Sequence, residues 1–151
     1  MIPSILIGLV AGARALTPLA VVSEAARHDV LAKDNGAPSW LGHPWVAAGI
    51  KVLAAGELWG DKLHSAPDRI VPAGLVARLA TGALTGAALA PRRRVLSGAA
   101  LGATAAIAGA YLTFAVRQRA MARFGQTPSG LVEDALTVGL AELVVSRAAR
   151  R

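Results

Sequence analysis

The sequence predicts an all-α, polytopic membrane helix bundle of four to five hydrophobic segments, forming a single integral membrane domain over residues 1–151. Three observations carry this prediction. First, 54% of the 151 residues are apolar and the mean hydropathy is +0.51, more than a soluble domain of this length usually carries. Second, only 4% of the chain is aromatic, so the apolar mass is Ala, Leu, Val and Gly. Soluble cores fill their volume with larger side chains, whereas small residues let membrane helices approach closely. Third, the net charge of +7 comes from arginines gathered at the ends of apolar runs. Arg92–Arg94, Arg117/Arg119/Arg123 and Arg147/Arg150/Arg151 are placed as membrane-flanking loops place them. They make no stripe interleaved with aromatics, which argues against a nucleic-acid partner. With no cysteine in the chain, disulfide frameworks and thiolate chemistry are excluded.

The first apolar segment is Pro3–Val22. It lacks a basic n-region and reads as a membrane segment rather than a cleaved signal. Arg14 and Pro18 interrupt it, and proline removes a helical hydrogen bond, so a break near Arg14–Pro18 is expected. Broken helices persist at membrane depth only where they line a cavity or are buried in protein. Gly8 and Gly12 form one small contact face. Glu24–Ser39 is polar and holds the turn signal Asp34-Asn35-Gly36-Ala37-Pro38. Trp40 and Trp45 mark an interfacial belt, and the second segment runs from there to Trp59 with Lys51 near its middle.

The third segment, Ile70–Ala90, is the centre of the sequence. Gly74, Arg78, Gly82 and Gly86 recur every four residues and share one helix face, with Arg78 its only long side chain. An arginine in such a contact needs an anion or a carboxylate, and Glu57, Asp61, Glu133 and Asp134 are the candidates. The fourth segment, Val95–Val116, repeats the small-residue spacing at Gly98 and Gly102. Its stretch Ala108–Val116 faintly echoes Ala11–Leu19, a weak sign of two related halves of the inverted-repeat kind. Arg117–Gln126 reads as a basic connector, with Thr127-Pro128 as cap and first residue of a last helix. That final segment, Gly130–Val145, carries Glu133, Asp134 and Glu142.

Charges this close to hydrocarbon mark a functional site by default. Arg14, Pro18, Lys51, Glu57, Asp61, Lys62, Arg69, Arg78, Glu133 and Asp134 together suggest a channel or transporter for an ion or small solute. The alternative is a structural or assembly protein whose charges are internal salt bridges fixing helix register. Glu57, Asp61 and His64 would share a face of a continued helix and are a weak divalent-metal set. No nucleophile elbow, zinc signature or phosphate loop is present, so neither an enzyme nor a cofactor is expected. The expected setting is the cell inner membrane, with the lipid bilayer as partner. Loop charge is nearly balanced, which permits a homo-oligomer such as an antiparallel dimer.

Three stretches resemble one bacterial family, the domain of unknown function 4126. They are Gly12-Ala13-Arg14-Ala15-Leu16-Thr17-Pro18-Leu19; Glu57-Leu58-Trp59-Gly60-Asp61-Lys62-Leu63, followed by Pro67-Asp68-Arg69, Pro72, Arg78 and Gly82-Ala83-Leu84; and Leu131-Val132-Glu133-Asp134-Ala135-Leu136. The resemblance implies a small multi-helix membrane fold with recurring polar intramembrane positions, and it implies no established activity. His43 and His64 are not part of that pattern, which weakens the metal reading.

Overall fold

A computed structural model describes residues 1–60 and 71–150. These form an all-α bundle of α1 (Ile2–Ala13), α2 (Leu16–Arg27), α3 (Pro44–Gly60), α4 (Pro72–Ala88), α5 (Val95–Phe124) and α6 (Gln126–Ala149). Short 3-10 turns at Ser39–Gly42 and Arg92–Arg94 lead into α3 and α5, and no strand occurs among the described residues.

The centre of the bundle is a three-helix contact of α1, α4 and α5, and small residues set its spacing. Gly82 and Gly86 of α4 face Gly98, Gly102 and Ala106 of α5, so the two helices run antiparallel. Gly8 meets Gly102 and Ala105, and Gly12 meets Ala106, Gly109 and Ala110, so α1 runs parallel to α5. The approach is backbone to backbone. A Cβ on Gly86 would lie 2.5 Å from the Gly98 carbonyl oxygen, and one on Gly109 2.6 Å from that of Leu9. Neither position accepts a side chain without moving a helix. The face predicted from the four-residue spacing in Ile70–Ala90 is therefore the packed face of α4.

The first segment does break, but α2 does not continue onward. Gly36, beyond α2, packs on the carbonyls of Ala87 and Ala90, and Asn35 bridges Pro91. Ala88 shares a buried cluster with Val22, Ala25 and Leu31. The chain after Arg14 thus returns to the end of the bundle where α1 began, and α1–α2 is a helical hairpin with its tip at Arg14–Ala15. α3 then lies antiparallel to α2: Glu57 reaches Ala15 while Lys51 reaches Glu24. Pro18 sits in the first turn of α2, where its missing N–H is no loss; the break itself is at Arg14.

Two further boundaries differ from expectation. α5 runs on through the basic stretch to Phe124, because Arg, Gln, Ala and Met are all good helix formers and nothing there stops the helix before Gly125, whose φ is +83°. Only Gly125 separates α5 from α6, and Thr127-Pro128 falls inside the first turn of α6 rather than before it. α5 also passes unbroken through Ala108–Val116 and parallel to α1, so the echo of Ala11–Leu19 does not repeat the break.

Among the described residues one stretch, Arg92–Phe124, is long and apolar enough to cross a membrane, with a mean hydropathy of 1.7 in its apolar window. Only 28% of that window is buried, so most of its apolar surface faces outward, unlike the core helix of a soluble protein. None of the other described helices is both long and apolar enough by the same measure, and α1 is a shorter apolar helix. Trp45, Val52, Leu53, Trp59, Val76, Leu96 and Leu112 all expose large apolar side chains.

Candidate functional site

The site is built on the break between α1 and α2. Arg14 is extended (φ −138°, ψ 119°) although its N–H still bonds Val10 O. Interrupting a helix leaves acceptors unpaired at the first half's C-terminus and donors unpaired at the second half's N-terminus. Both ends are closed by charged side chains from other helices. The Glu57 carboxylate accepts the N–H of Ala15 through Oε1 (3.0 Å) and that of Leu16 through Oε2 (2.9 Å). The Arg78 guanidinium donates from Nε to Gly12 O (2.9 Å) and from Nη1 to Gly74 O (3.0 Å).

Arg14 completes the network. Its side chain is 2% exposed, forms an ion pair with Asp134 of α6, and donates to Glu57 O at 3.3 Å. Signs match the helix dipoles: an anion sits on the N-terminus of α2 and cations sit at the C-terminus of α1. Arg14, Glu57, Arg78 and Asp134 thereby tie five segments, α1, α2, α3, α4 and α6, to one point.

Other predicted residues lie elsewhere. Glu133 pairs with Arg117 at 3.1 Å across the α5–α6 turn. Lys51 is likewise apart, 2.7 Å from Glu24 near the open end of the hairpin. The Lys51 hydrogen bond holds the Glu24 carboxyl below the usual carboxylate range, helped by His28 and Arg27 and opposed by partial desolvation. Asp61, Lys62, His64 and Arg69 lie outside the described residues, and so does most of the metal set. Among the described residues no group of three potential ligands gathers.

Sequence reasoning placed Arg117 in a flanking loop and missed its pairing. Arg117 and Glu133 are equidistant from Gly125, so a helical hairpin closing at that glycine would have brought them together. Among the buried threonines, Thr81, Thr85 and Thr137 each donate to the carbonyl four residues earlier, whereas the buried Thr17 hydroxyl, in the first turn of α2, makes no hydrogen bond among the described residues.

Comparison with family models, curated proteins and solved structures finds no match. The geometry of the network is therefore the basis for a functional reading.

Proposed function

We propose that the chain is a multi-pass protein of the cell inner membrane, with α1–α2 as a re-entrant hairpin and α3–α6 as crossings, and that the Arg14 network conducts a small ion or a proton. Arg94 and Arg117 are about 34 Å apart along α5, close to the roughly 30 Å thickness of the hydrocarbon core. Trp40 and Trp45 then belong to one interface and Trp59 to the other, as indoles prefer. Gly12 packs beside Gly109–Ala110, which sets the hairpin tip, two residues on, about 8 Å inside the Arg117 level.

The observation that carries the reading is the meeting of two half-helix ends at ionisable side chains inside the bundle. Transporters place discontinuous helices in this way, with half-helix termini aimed at the coupled ion or substrate. Here the seat on α2 is filled by a side chain of the protein's own, Glu57, next to two arginines. Displacing that carboxylate would open the Ala15 and Leu16 N–H donors to a small anion, and protonation could alternate between Glu57 and Asp134, which Arg14 bridges through the Glu57 carbonyl and the Asp134 carboxylate.

A second reading has its own support. Arg14 is almost fully buried and ion-paired, which suits a static network that fixes the hairpin and conducts nothing.

Flux from proteoliposomes separates the two. Vesicles preloaded in turn with protons, monovalent cations and small anions are compared for wild type, Glu57→Gln and Asp134→Asn, with folding checked by size-exclusion profile. Selective flux that changes in either folded variant supports conduction. Folded wild-type protein that passes none of these solutes selects the structural reading.

A further inference from the structure

α5 and α6 diverge from their turn, and the space between them is an open groove of about 690 Å³ floored by α1. Its extent along α5, from Gly109 to Phe124, is about 22 Å. The half nearest α1 is mainly aliphatic, with Leu9, Val10, Leu112, Val116, Leu136 and Leu140 among its walls. Thr113 and Thr137 also line it, with hydroxyls bonded to the Gly109 and Glu133 carbonyls, whereas Arg117, Glu133 and Ser129 belong to the half towards the turn.

Two further arginines stand beside that second half. Arg123 follows Val116 and Ala120 along α5, and Arg119 lies one turn before it; both are exposed and flank the groove without lining it. The first turn of α6, which lines the groove through Pro128 and Ser129, has no acidic residue and no side-chain cap. A 24-residue helix thus adds the positive end of its dipole to the arginines. Glu133 pairs with Arg117.

We propose that this groove binds one anionic membrane phospholipid, with an acyl chain along the aliphatic half and the phosphate at Arg119, Arg123 and the start of α6. This rests on the membrane reading above. The groove opens on α5, the helix that qualifies as a membrane span, so its aliphatic half faces hydrocarbon and its basic half faces headgroups. A chain-length apolar slot with a cationic mouth complements such a lipid at both ends. Its volume is within the roughly 300–1,000 Å³ of small-molecule sites. A second protein copy would have to bring its own acidic group to the same mouth.

The test uses purified, delipidated full-length protein in a neutral detergent. Phosphatidylglycerol or phosphatidylcholine is added back, and retained lipid and oligomeric mass are read together by native mass spectrometry. Saturable retention of about one phosphatidylglycerol per chain is expected. Arg119→Gln with Arg123→Gln should weaken it roughly thirty-fold at low salt, from about 1 kcal/mol per basic residue at an anionic headgroup. Val132→Trp, which fills the groove from the exposed face of α6, should abolish retention while the fold and the Arg14 network stay intact. Equal retention of both lipids, or retention insensitive to the arginine pair and to Val132→Trp, overturns the proposal. So does a dimer that Val132→Trp dissociates, which would make a second copy the occupant. Cell fractionation tests the membrane reading separately: a chain found in the soluble fraction refutes that reading, whereas a membrane-bound chain with indifferent lipid binding refutes the groove proposal alone.

Discussion

The Glu57 carboxylate sits on the backbone of Leu16, 2.9 Å from its N–H and 41 residues away in sequence. α2 has no capping side chain of its own, since Ala15 stands at its N-cap. A carboxylate from α3 takes the role that Ser, Thr, Asp or Asn would normally fill locally, and adds a negative charge at the positive end of the dipole. Helix start and tertiary contact are thus one interaction, and the tip of the hairpin depends on α3 being in place.

Glu57→Gln keeps one acceptor oxygen and loses the charge, so it should cost about 1 kcal/mol. Glu57→Ala leaves both donors without their acceptor and should cost about 2 kcal/mol or more. Thermal unfolding of the detergent-solubilised protein measures both, and midpoints of both variants equal to that of wild type would show that the cap contributes nothing.

The Arg14–Asp134 pair is more sensitive. Removing either partner strands a charge among buried groups, with an expected loss of about 3–5 kcal/mol for Arg14→Gln or Asp134→Ala. The double variant Arg14→Met with Asp134→Leu should recover a large part of that loss, because desolvation of the pair offsets much of its attraction. A double-mutant cycle on unfolding free energies reads the coupling directly.

Glycines divide sharply by position. A Cβ at Gly102 would be driven into the Gly82 carbonyl oxygen, whereas one at Gly139 meets nothing within 4 Å. Gly102→Ala should therefore cost about 3 kcal/mol, the upper range for overpacking. Gly139→Ala should stabilise α6 by about 0.5–1 kcal/mol through helix propensity. Opposite signs of the two shifts in thermal midpoint are the check.

Glu24 supplies a pH dependence. Its carboxyl is lowered in the folded protein, chiefly by the Lys51 hydrogen bond. The stabilisation is fully present above the ordinary carboxylate range and is lost as pH falls through the lowered value. Unfolding midpoints of wild type should drop in acid by more than those of Lys51→Gln, and parallel curves would remove Lys51 as the cause.

The break at Arg14 and the glycine face of α4 are legible in the sequence because each is a local signal. An arginine and a proline interrupt an apolar run, and a four-residue spacing keeps its register on one helix face. What the chain does after the break is not local. The return of α2 depends on Ala88, Leu31 and Val22 sharing one cluster, and no periodicity encodes which way a helix turns. Charge alone cannot show that α5 continues beneath Arg117, so its basic stretch reads as an interfacial loop in the sequence. The candidate site is legible in its residue types and only partly in its pairing: Arg14, Glu57, Arg78 and Asp134 converge, while Glu133 and Lys51 find partners elsewhere.

The re-entrant hairpin makes a topological prediction that differs from a five-crossing chain. If α1–α2 enters and leaves by one face, then Ile2, Arg93 and Arg150 share that face and Arg119 is on the other. If the first segment crossed once, Ile2 would be opposite Arg93. The chain has no cysteine, so single substitutions Ile2→Cys, Arg93→Cys, Arg119→Cys and Arg150→Cys can each be labelled with a membrane-impermeant maleimide in intact and opened cells. Loop charge is nearly balanced between the two faces, so the pattern of labelling rather than its absolute side is diagnostic. Ile2→Cys, Arg93→Cys and Arg150→Cys should behave alike in intact cells, and Arg119→Cys oppositely. Labelling of Ile2→Cys in intact cells with Arg93→Cys protected would show that α2 leads onward and that the hairpin does not form in the bilayer.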